Sequence, residues 1–199
     1  MSEAAGWDEA YQREAPAPWD IGRPQPVVAE LAEQGRLTGD LLDAGCGTGE
    51  HTLLAAVGGA QARGIDLSPV AIERARAKAA GRGIDIPFEA ADLLTVQLPE
   101  AAFDVVLDSG VFHSFDDEGR ERYVRQLRRW LKPGGILFLI CFSDRQPGEW
   151  GPRRVSRAKI ESAFASGWSL QQVRACVFDI NPLPDADEVQ AWLVEATAS

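Results

Sequence analysis

The sequence is poor in cysteine, in basic residues and in long apolar runs, and each shortage excludes a class of protein. Its three cysteines, Cys46, Cys141 and Cys176, are odd in number and widely spaced, which excludes a disulfide framework and a Cys-x-x-Cys zinc site. No apolar stretch approaches the roughly 20 residues that span a bilayer. The segment Met1–Gly6 lacks the basic and then apolar pattern of a signal peptide. We therefore expect a cytoplasmic protein with no membrane partner.

Acidic residues outnumber basic ones. The chain of 199 residues has 20 Lys and Arg against 30 Asp and Glu, which gives a net charge of −10. Because nucleic-acid affinity comes largely from cations that replace the counterions of phosphates, we expect no nucleic-acid partner. The apolar fraction of 45% and the charged fraction of 25% are ordinary for a globular protein, so a single domain with one core is expected.

The first 26 residues differ in composition from the rest. Four prolines in this segment cannot continue a helix, so the segment is predicted to be loop-like. It also carries Trp7, Tyr11 and Trp19, and a disordered tail would rarely contain three such aromatic residues. The sequence therefore predicts an ordered arm, residues 1–26, that packs on a domain formed by residues 27–199.

Beyond the arm, short apolar runs alternate with helical patterns, which is typical of an α/β fold with a parallel sheet. The clearest helix is Glu118–Leu131, because Tyr123, Leu127 and Trp130 fall on one face. The other predicted helices are Val27–Gln34, Glu50–Val57, Pro69–Ala80 and Ser156–Phe164. The predicted strands are Asp40–Ala44, Ala62–Asp66, Ile86–Glu89, Phe103–Asp108, Ile136–Phe142, Ser169–Phe178 and Glu188–Ala196.

A glycine turn follows the first predicted strand and precedes a helix. Gly45, Gly47 and Gly49 let the backbone turn sharply and approach a ligand with no Cβ in the way. The dinucleotide-binding pattern would need a glycine where this chain has Glu50, and a carboxylate there opposes a pyrophosphate. It does not oppose a ligand that carries an ammonium and a sulfonium. The phosphate-binding P-loop is excluded because no Gly-Lys-Ser/Thr follows.

Asp66 ends the second predicted strand, 21 residues after Gly45. An acidic side chain at this place can accept hydrogen bonds from both ribose hydroxyls of an adenosine cofactor. The alternative is that Asp66 caps the following helix, since aspartate is favoured at that position. Ser68, directly before Pro69, fits the capping role better. Asp66 is therefore predicted to contact the ribose.

Five segments, in order along the chain, resemble the motifs of class I S-adenosylmethionine-dependent methyltransferases. They are Leu41–Gly49, Gly64–Ser68, Ala91–Leu93, Phe103–Ser109 and Leu131–Gly135. The resemblance implies S-adenosylmethionine as the cofactor. It also implies a Rossmann-like, doubly wound sheet with strand order 3-2-1-4-5-7-6, in which strand seven is antiparallel.

The resemblance also assigns contacts to the cofactor. It places Asp43 near the ammonium end, although a carboxylate that only braces the loop amides fits equally well. Asp92 lies in an apolar stretch and needs a partner, which the adenine amino group would supply; a loop turn is the alternative. The predicted cofactor-binding residues are Trp7, Tyr11, Trp19, Asp43, Gly45, Gly47, Gly49, Asp66, Leu67, Asp92, Leu93, Asp108 and Ser109.

The acceptor side is expected beyond the fourth strand, where open α/β sheets bind ligands. His113, one of only two histidines, could take a proton from an attacking hydroxyl, or it could simply line the pocket. The carboxylates Asp116–Glu118 are explained by the dipole of the helix that they open, so no metal is predicted. The predicted substrate-binding residues are Phe112, His113, Trp150, Arg153 and Arg154. For the two arginines, the alternative is that they are solvated residues of a basic loop.

The arm narrows the resemblance. Trp7, Tyr11 and the segment Pro18–Pro26 resemble the thiopurine and thiol methyltransferase-like branch, and most closely its small actinobacterial enzymes that methylate quinones and heterocycles. In that branch the arm covers cofactor and substrate. This implies methylation of a small aromatic heterocycle, quinone, phenol or thiol at nitrogen, oxygen or sulfur, by a monomer or homodimer. The alternatives are an S-adenosylmethionine-binding protein without transfer activity and a dinucleotide-dependent oxidoreductase, which Glu50 disfavours.

Overall fold

The fold is built on one mixed sheet of seven strands. The computed structural model describes residues 3–148, 150–183 and 186–199. The strands are β1 (Asp40–Ala44), β2 (Gln61–Asp66), β3 (Phe88–Ala90), β4 (Phe103–Ser109), β5 (Leu131–Phe142), β6 (Trp168–Leu183) and β7 (Ala186–Ala198). The helices are α1 (Glu3–Gln12), α2 (Pro26–Glu33), α3 (Glu50–Val57), α4 (Pro69–Gly81), α5 (Asp117–Trp130) and α6 (Arg157–Ala163), with a 3₁₀ turn at Phe112–Ser114.

The strand order is β3-β2-β1-β4-β5-β7-β6, and β7 runs antiparallel to both of its neighbours. The order reverses at β1, since β2 and β4 lie on either side of it. Ligands of open α/β sheets bind at such a point, beyond the carboxyl ends of the strands. The predicted fold class, strand order and antiparallel last strand are confirmed.

Apolar residues cover both faces of the sheet, because parallel strands are buried on both sides. On one face, α5 contributes the fully buried Tyr123, Leu127 and Trp130. On the other, Val28 and Leu31 of α2 pack against the sheet. The core thus fixes the carboxyl ends of β1, β2 and β4 relative to one another.

The structure differs from the sequence prediction in the arm and at strand limits. The arm begins with helix α1, which precedes its first proline, so the arm is not loop-like throughout. Strand β3 starts after Pro87, which has no N–H for the ladder. Strand β5 begins at Leu131, which pairs with Phe103 before the register shifts. Strand β6 continues to Leu183 because β7 pairs with it that far.

Within the described residues, no helix is both long enough and apolar enough to cross a membrane.

Leu127→Ala tests the packing of α5. The leucine is fully buried, so the truncation should leave a cavity and lower the free energy of unfolding by about 2–5 kcal/mol. Arg125→Ala on the exposed face of the same helix is the matched control, expected within about 0.5 kcal/mol of wild type. Urea unfolding measures both. Equal stability of the two variants would contradict the proposed packing.

Candidate cofactor and acceptor site

The glycine turn lies at the carboxyl end of β1. Gly45 has a φ of +77°, and a Cβ built there would collide with the side chain of Val111. The amides of Gly45 and Cys46 donate to the carbonyl oxygen of Ile65 at 2.7 and 2.9 Å. The turn is therefore tied to the end of β2, and only glycine fits its first position.

Asp66 holds the turn from the neighbouring strand. Its Oδ2 accepts a hydrogen bond from the amide of Gly47, and its Oδ1 accepts one from the amide of Ser68, both at 2.8 Å. Burial raises the pKa of Asp66, and these two amide donors act in the opposite direction. Each carboxylate oxygen keeps a second lone pair for a ligand hydroxyl. Ser68, as expected, caps α4 by accepting from the amide of Ala71.

Asp43 is fully buried beneath the turn. Its Oδ2 accepts a hydrogen bond from the hydroxyl of Thr52 at 2.6 Å, whereas its Oδ1 has no partner among the described residues. Burial raises the pKa of this carboxyl group to about 7. An unpaired buried carboxylate oxygen is costly, and a cationic ligand group would relieve that cost. The residues present therefore fit a cofactor with an ammonium group at this place.

Asp92 forms a local turn. Its Oδ1 accepts from the amide of Leu94 at 2.8 Å, and its Oδ2 lies 3.4 Å from the hydroxyl of Thr95. The turn alternative is thus present, and contact with an adenine stays a prediction. Leu67 is half-buried beside Asp66, but Leu93 packs in the core.

Asp108 braces the loop after β4. Its carboxylate accepts from the amides of Val111 and Phe112 at 2.8 and 3.1 Å, and the side chain is fully buried. Burial raises its pKa to about 7. Both oxygens therefore serve the loop, which is a different role from the predicted cofactor contact. The hydroxyl of Ser109 is buried without a partner among the described residues.

The first part of the arm packs against the glycine turn and α4. Asp8 of α1 accepts hydrogen bonds from the hydroxyl of Ser68 and the amide of Val70. Tyr11 is buried, and its hydroxyl accepts from Nε1 of Trp19 at 3.0 Å. The ring of Trp7 lies 5.3 Å from that of Trp19. The three predicted arm aromatics thus form one cluster.

The second part of the arm is held by polar side chains that sequence reasoning missed. The side chain of Gln25 exchanges two hydrogen bonds with the backbone of Asp179, at 2.8 and 2.9 Å. The amide of Gln25 donates to Nε2 of His51, and Nδ2 of Asn181 donates to the carbonyl oxygen of Asp20. A glutamine between two prolines is the one local signal for this contact.

Asp20 and Glu50 connect the arm to the turn and to α4. Asp20 accepts from the hydroxyl of Thr48 at 2.6 Å, and Lys78 donates to both Thr48 and Glu50 at 2.7 Å. Glu50 also lies 3.7 Å from Arg82. Its charge is therefore compensated, so it repels an anionic ligand less than the sequence alone indicates.

A cleft of about 60 Å³ separates the arm from the glycine turn. It is lined by, among others, Tyr11, Trp19, Gly45, Thr48, Ser109 and Phe178. Small-molecule sites usually measure about 300–1,000 Å³, so the cleft in this structure is too small to hold a nucleoside cofactor.

Aromatic rings gather at the carboxyl ends of β4 and β5. The ring of Phe142 lies 4.7 Å from His113, 5.8 Å from Phe178 and 6.3 Å from Trp150. These four residues are called the aromatic cluster below. Phe178 also lines the cleft beside Ser109, so the cluster adjoins the cleft through this ring. Phe142, Phe178 and His113 are buried, whereas Trp150 is half-buried.

Three residues predicted to bind substrate have other roles. The guanidinium of Arg154 donates to four carbonyl oxygens of the loop at 146–152, so it organises the loop that carries Trp150. Arg153 is exposed and lies 3.7 Å from Asp117, at the start of α5. Phe112 is 1% exposed and packs in the core. Arg154 also lies over two rings of the aromatic cluster, 5.6 Å from the centre of Phe142 and 5.8 Å from that of Trp150. Arg153 and Phe112 make no ring contact with the cluster in the described part of the chain.

His113 is not suited to the predicted role of general base. The amide of Phe142 donates to its Nδ1 at 3.0 Å, so that nitrogen is already occupied. Burial, with smaller effects from Arg120 and Arg154, lowers its pKa to about 3. A base whose pKa lies so far below neutrality takes a proton from a hydroxyl poorly.

A larger groove of about 950 Å³ lies between α5, α6 and the last strand. It includes Phe112 but no other residue predicted for the site. The described residues contain no group of three or more His, Cys, Asp or Glu arranged for a metal.

Known proteins resemble this chain over most of its length. A family model described as a methyltransferase domain matches residues 41–135. The 2-heptyl-1-hydroxyquinolin-4(1H)-one methyltransferase of Mycobacteroides abscessus is 34% identical over 84% of this chain and 78% of its own. The probable thiol methyltransferase 2 of Arabidopsis thaliana is 32% identical over 99% of this chain and 89% of its own.

A solved structure described as "Conversion of a Disulfide Bond into a Thioacetal Group during Echinomycin Biosynthesis" superposes with a TM-score of 0.89. It is 32% identical and covers 100% of this chain and 94% of its own. The order of the seven strands agrees with these similarities. On this combined basis, the chain belongs to the class I S-adenosylmethionine-dependent methyltransferases.

Proposed function

We propose that this enzyme transfers the methyl group of S-adenosylmethionine to a nitrogen, oxygen or sulfur at the edge of a small aromatic molecule. The aromatic cluster carries the proposal, since its Phe178 lines the cleft beside the glycine turn. A flat acceptor that reaches these rings would pack edge-to-face on them. The relatives from Mycobacteroides abscessus and Arabidopsis thaliana, named for a hydroxyquinolinone and for thiols, support this acceptor class.

The cofactor fits the residues around the turn. When bound, S-adenosylmethionine supplies a methyl group on positively charged sulfur. Asp43 would compensate the ammonium charge, and Asp66 would accept from the ribose hydroxyls with its remaining lone pairs. Asp92 would accept a hydrogen bond from the adenine amino group. The net charge of the chain, −10, is compatible with a cationic cofactor and an uncharged acceptor.

The reaction needs alignment more than acid–base chemistry. A lone pair of the acceptor forms the new bond to the methyl carbon while the carbon–sulfur electron pair returns to sulfur. A proton on the acceptor, if present, passes to bulk water before the acceptor is enclosed or after the product is released. The chain's residues hold the acceptor in line and exclude water. This agrees with a site whose histidine is a weak base.

The arm is proposed to act as a cover that opens for cofactor binding. It is joined to the glycine turn through Asp20 and Thr48, and to β6 through Gln25 and Asn181. The narrow cleft beneath it admits a nucleoside cofactor only if the arm moves. Covers of this kind protect reactive groups from water.

Asp66→Ala tests the cofactor site. Loss of the ribose contacts should weaken S-adenosylmethionine binding about ten- to a hundredfold, measured by isothermal titration calorimetry. Asp85→Ala, which removes an exposed carboxylate, should bind as wild type does. Asp66→Asn keeps one oxygen that can accept from the amide of Gly47. It therefore distinguishes a direct loss of cofactor contacts from a distortion of the glycine turn. Unchanged affinity in Asp66→Ala would refute the ribose assignment.

Hydrogen exchange tests the arm. Amides of residues 3–25 should exchange at least tenfold more slowly when S-adenosylhomocysteine is bound, because the ligand adds contacts to a closed arm. Asn181→Ala removes a tether and should reduce this protection, whereas exchange in α5 should stay unchanged. Identical exchange of the arm with and without bound ligand would show that the arm does not respond to it.

Methyl-labelled cofactor tests the acceptor class. We expect transfer to hydroxyquinolines, phenols and thiophenol, and none to tRNA or DNA. Trp150→Ala should lower kcat/KM for aromatic acceptors about three- to tenfold, because one ring contact is lost. The kcat/KM for an aliphatic thiol should change less than twofold. Efficient methylation of nucleic acid, or an equal loss on both classes of small molecule, would contradict the proposal.

A further inference from the structure

The hydrogen bond from Phe142 fixes the tautomer of His113. The amide of Phe142 donates to Nδ1 at 3.0 Å, so Nδ1 must present a lone pair. A neutral imidazole has one N–H, and the proton therefore resides on Nε2. Since the side chain is buried with a pKa of about 3, this neutral form is present throughout the neutral range. His113 is thus a hydrogen-bond donor, held in one orientation by the backbone of β5.

The Nε2–H group lies beside Gly110 and one carbon of the Phe178 ring. It makes no hydrogen bond to any residue that the structure describes. A Cβ built at Gly110 would lie 3.6 Å from Nε2 and 3.6 Å from the ring of Phe178. Gly110 directly follows Ser109 at the carboxyl end of β4. These are ordinary contact distances, so the missing side chain at Gly110 leaves a gap about one methyl group wide between the histidine edge and the aromatic ring.

The charged residues near His113 make hydrogen bonds with other groups. The guanidinium of Arg154 is engaged by loop carbonyls, and Arg120 donates to the carbonyl oxygen of Phe112 and to Asp117. The carboxylate of Asp108 accepts from loop amides. Of these groups, Nε2–H of His113 and the buried Nη2 of Arg120 have no acceptor among the described residues. Of these two side chains, His113 is the one that contacts a ring of the aromatic cluster.

We propose that His113 positions the acceptor molecule by donating a hydrogen bond from Nε2 to a heteroatom that is not itself methylated. This inference rests on the proposed methyl transfer and narrows its acceptor class. The preferred acceptor has two heteroatoms on one flat ring system. One is the nucleophile, and the other is a carbonyl oxygen or ring nitrogen with a free lone pair. A site built around a fixed donor discriminates against a molecule that lacks the matching lone pair.

Two variants distinguish the Nε2–H donor of His113 from the Nδ1 atom that accepts from the amide of Phe142. In His113→Asn, the amide oxygen can still accept from the Phe142 amide, but the side chain is too short to replace Nε2–H. In His113→Gln, the longer side chain can place an N–H near the position of Nε2. The two probes are 4-hydroxyquinoline, which has two heteroatoms, and thiophenol, which has one.

The Asn variant should raise KM for 4-hydroxyquinoline about five- to twentyfold with kcat within twofold, because a positioning contact is lost before the chemical step. Its KM for thiophenol should rise only about two- to threefold, because that probe loses the ring contact of the histidine but no hydrogen bond. The Gln variant should recover most of the loss on 4-hydroxyquinoline. Binding of each probe to the complex with S-adenosylhomocysteine, measured by calorimetry, should show the same pattern without turnover.

Equal losses on both probes, or no loss on either, would overturn the role of His113. Failure of His113→Gln to recover 4-hydroxyquinoline binding would also overturn it. Thermal unfolding and S-adenosylhomocysteine affinity, both expected near wild type, show that the variants are folded. The proposed acceptor class has its own test. It would be refuted if the wild-type enzyme binds S-adenosylhomocysteine and both probes but methylates neither. The binding of the probes to the variants would still decide the role of His113.

Discussion

The hydrogen bond from the Gly47 amide to Asp66 joins two neighbouring strands where the sheet reverses its order. The turn after β1 keeps its shape because the carboxylate at the end of β2 holds it, and the same carboxylate binds the amide of Ser68. Ser68 in turn caps α4 and donates to Asp8 of the arm. Turn, helix and arm therefore share one polar centre, and each is positioned relative to the others through it.

The site uses burial to set the charge state of its side chains. Asp43 and Asp108 are both fully buried, and the pKa of each is raised to about 7. They differ in their partners: Asp108 is satisfied by loop amides, whereas Asp43 has an oxygen left unpaired. Similar burial thus gives one carboxylate that braces a loop and one that suits a cationic group. His113 shows the opposite case, a base kept neutral by the same burial.

The sequence predicted the sheet and the glycine turn because both follow from local patterns. Apolar runs mark the strands, and the glycines and Asp66 lie close together along the chain. The roles of His113 and Arg154 could not be predicted in this way. The partner of His113 is the amide of Phe142, 29 positions away, and Arg154 binds carbonyl oxygens that every residue possesses. Neither kind of partner leaves a signal in residue type. Helix α1 was missed for a related reason, since tertiary contacts such as that of Asp8 support it.

The two hydrogen bonds between Gln25 and the backbone of Asp179 connect the arm to the strand that carries Phe178, and this connection bears on acceptor selectivity. Gln25 of the arm grips the backbone of Asp179, and the preceding residue is Phe178, a wall of the aromatic cluster. If the arm opens for cofactor exchange as proposed, its displacement would pull on the strand directly beside that ring. Cofactor exchange would then change the shape of the proposed acceptor pocket. A substitution in the arm would alter which molecules are accepted, even where the substituted residue touches none of them.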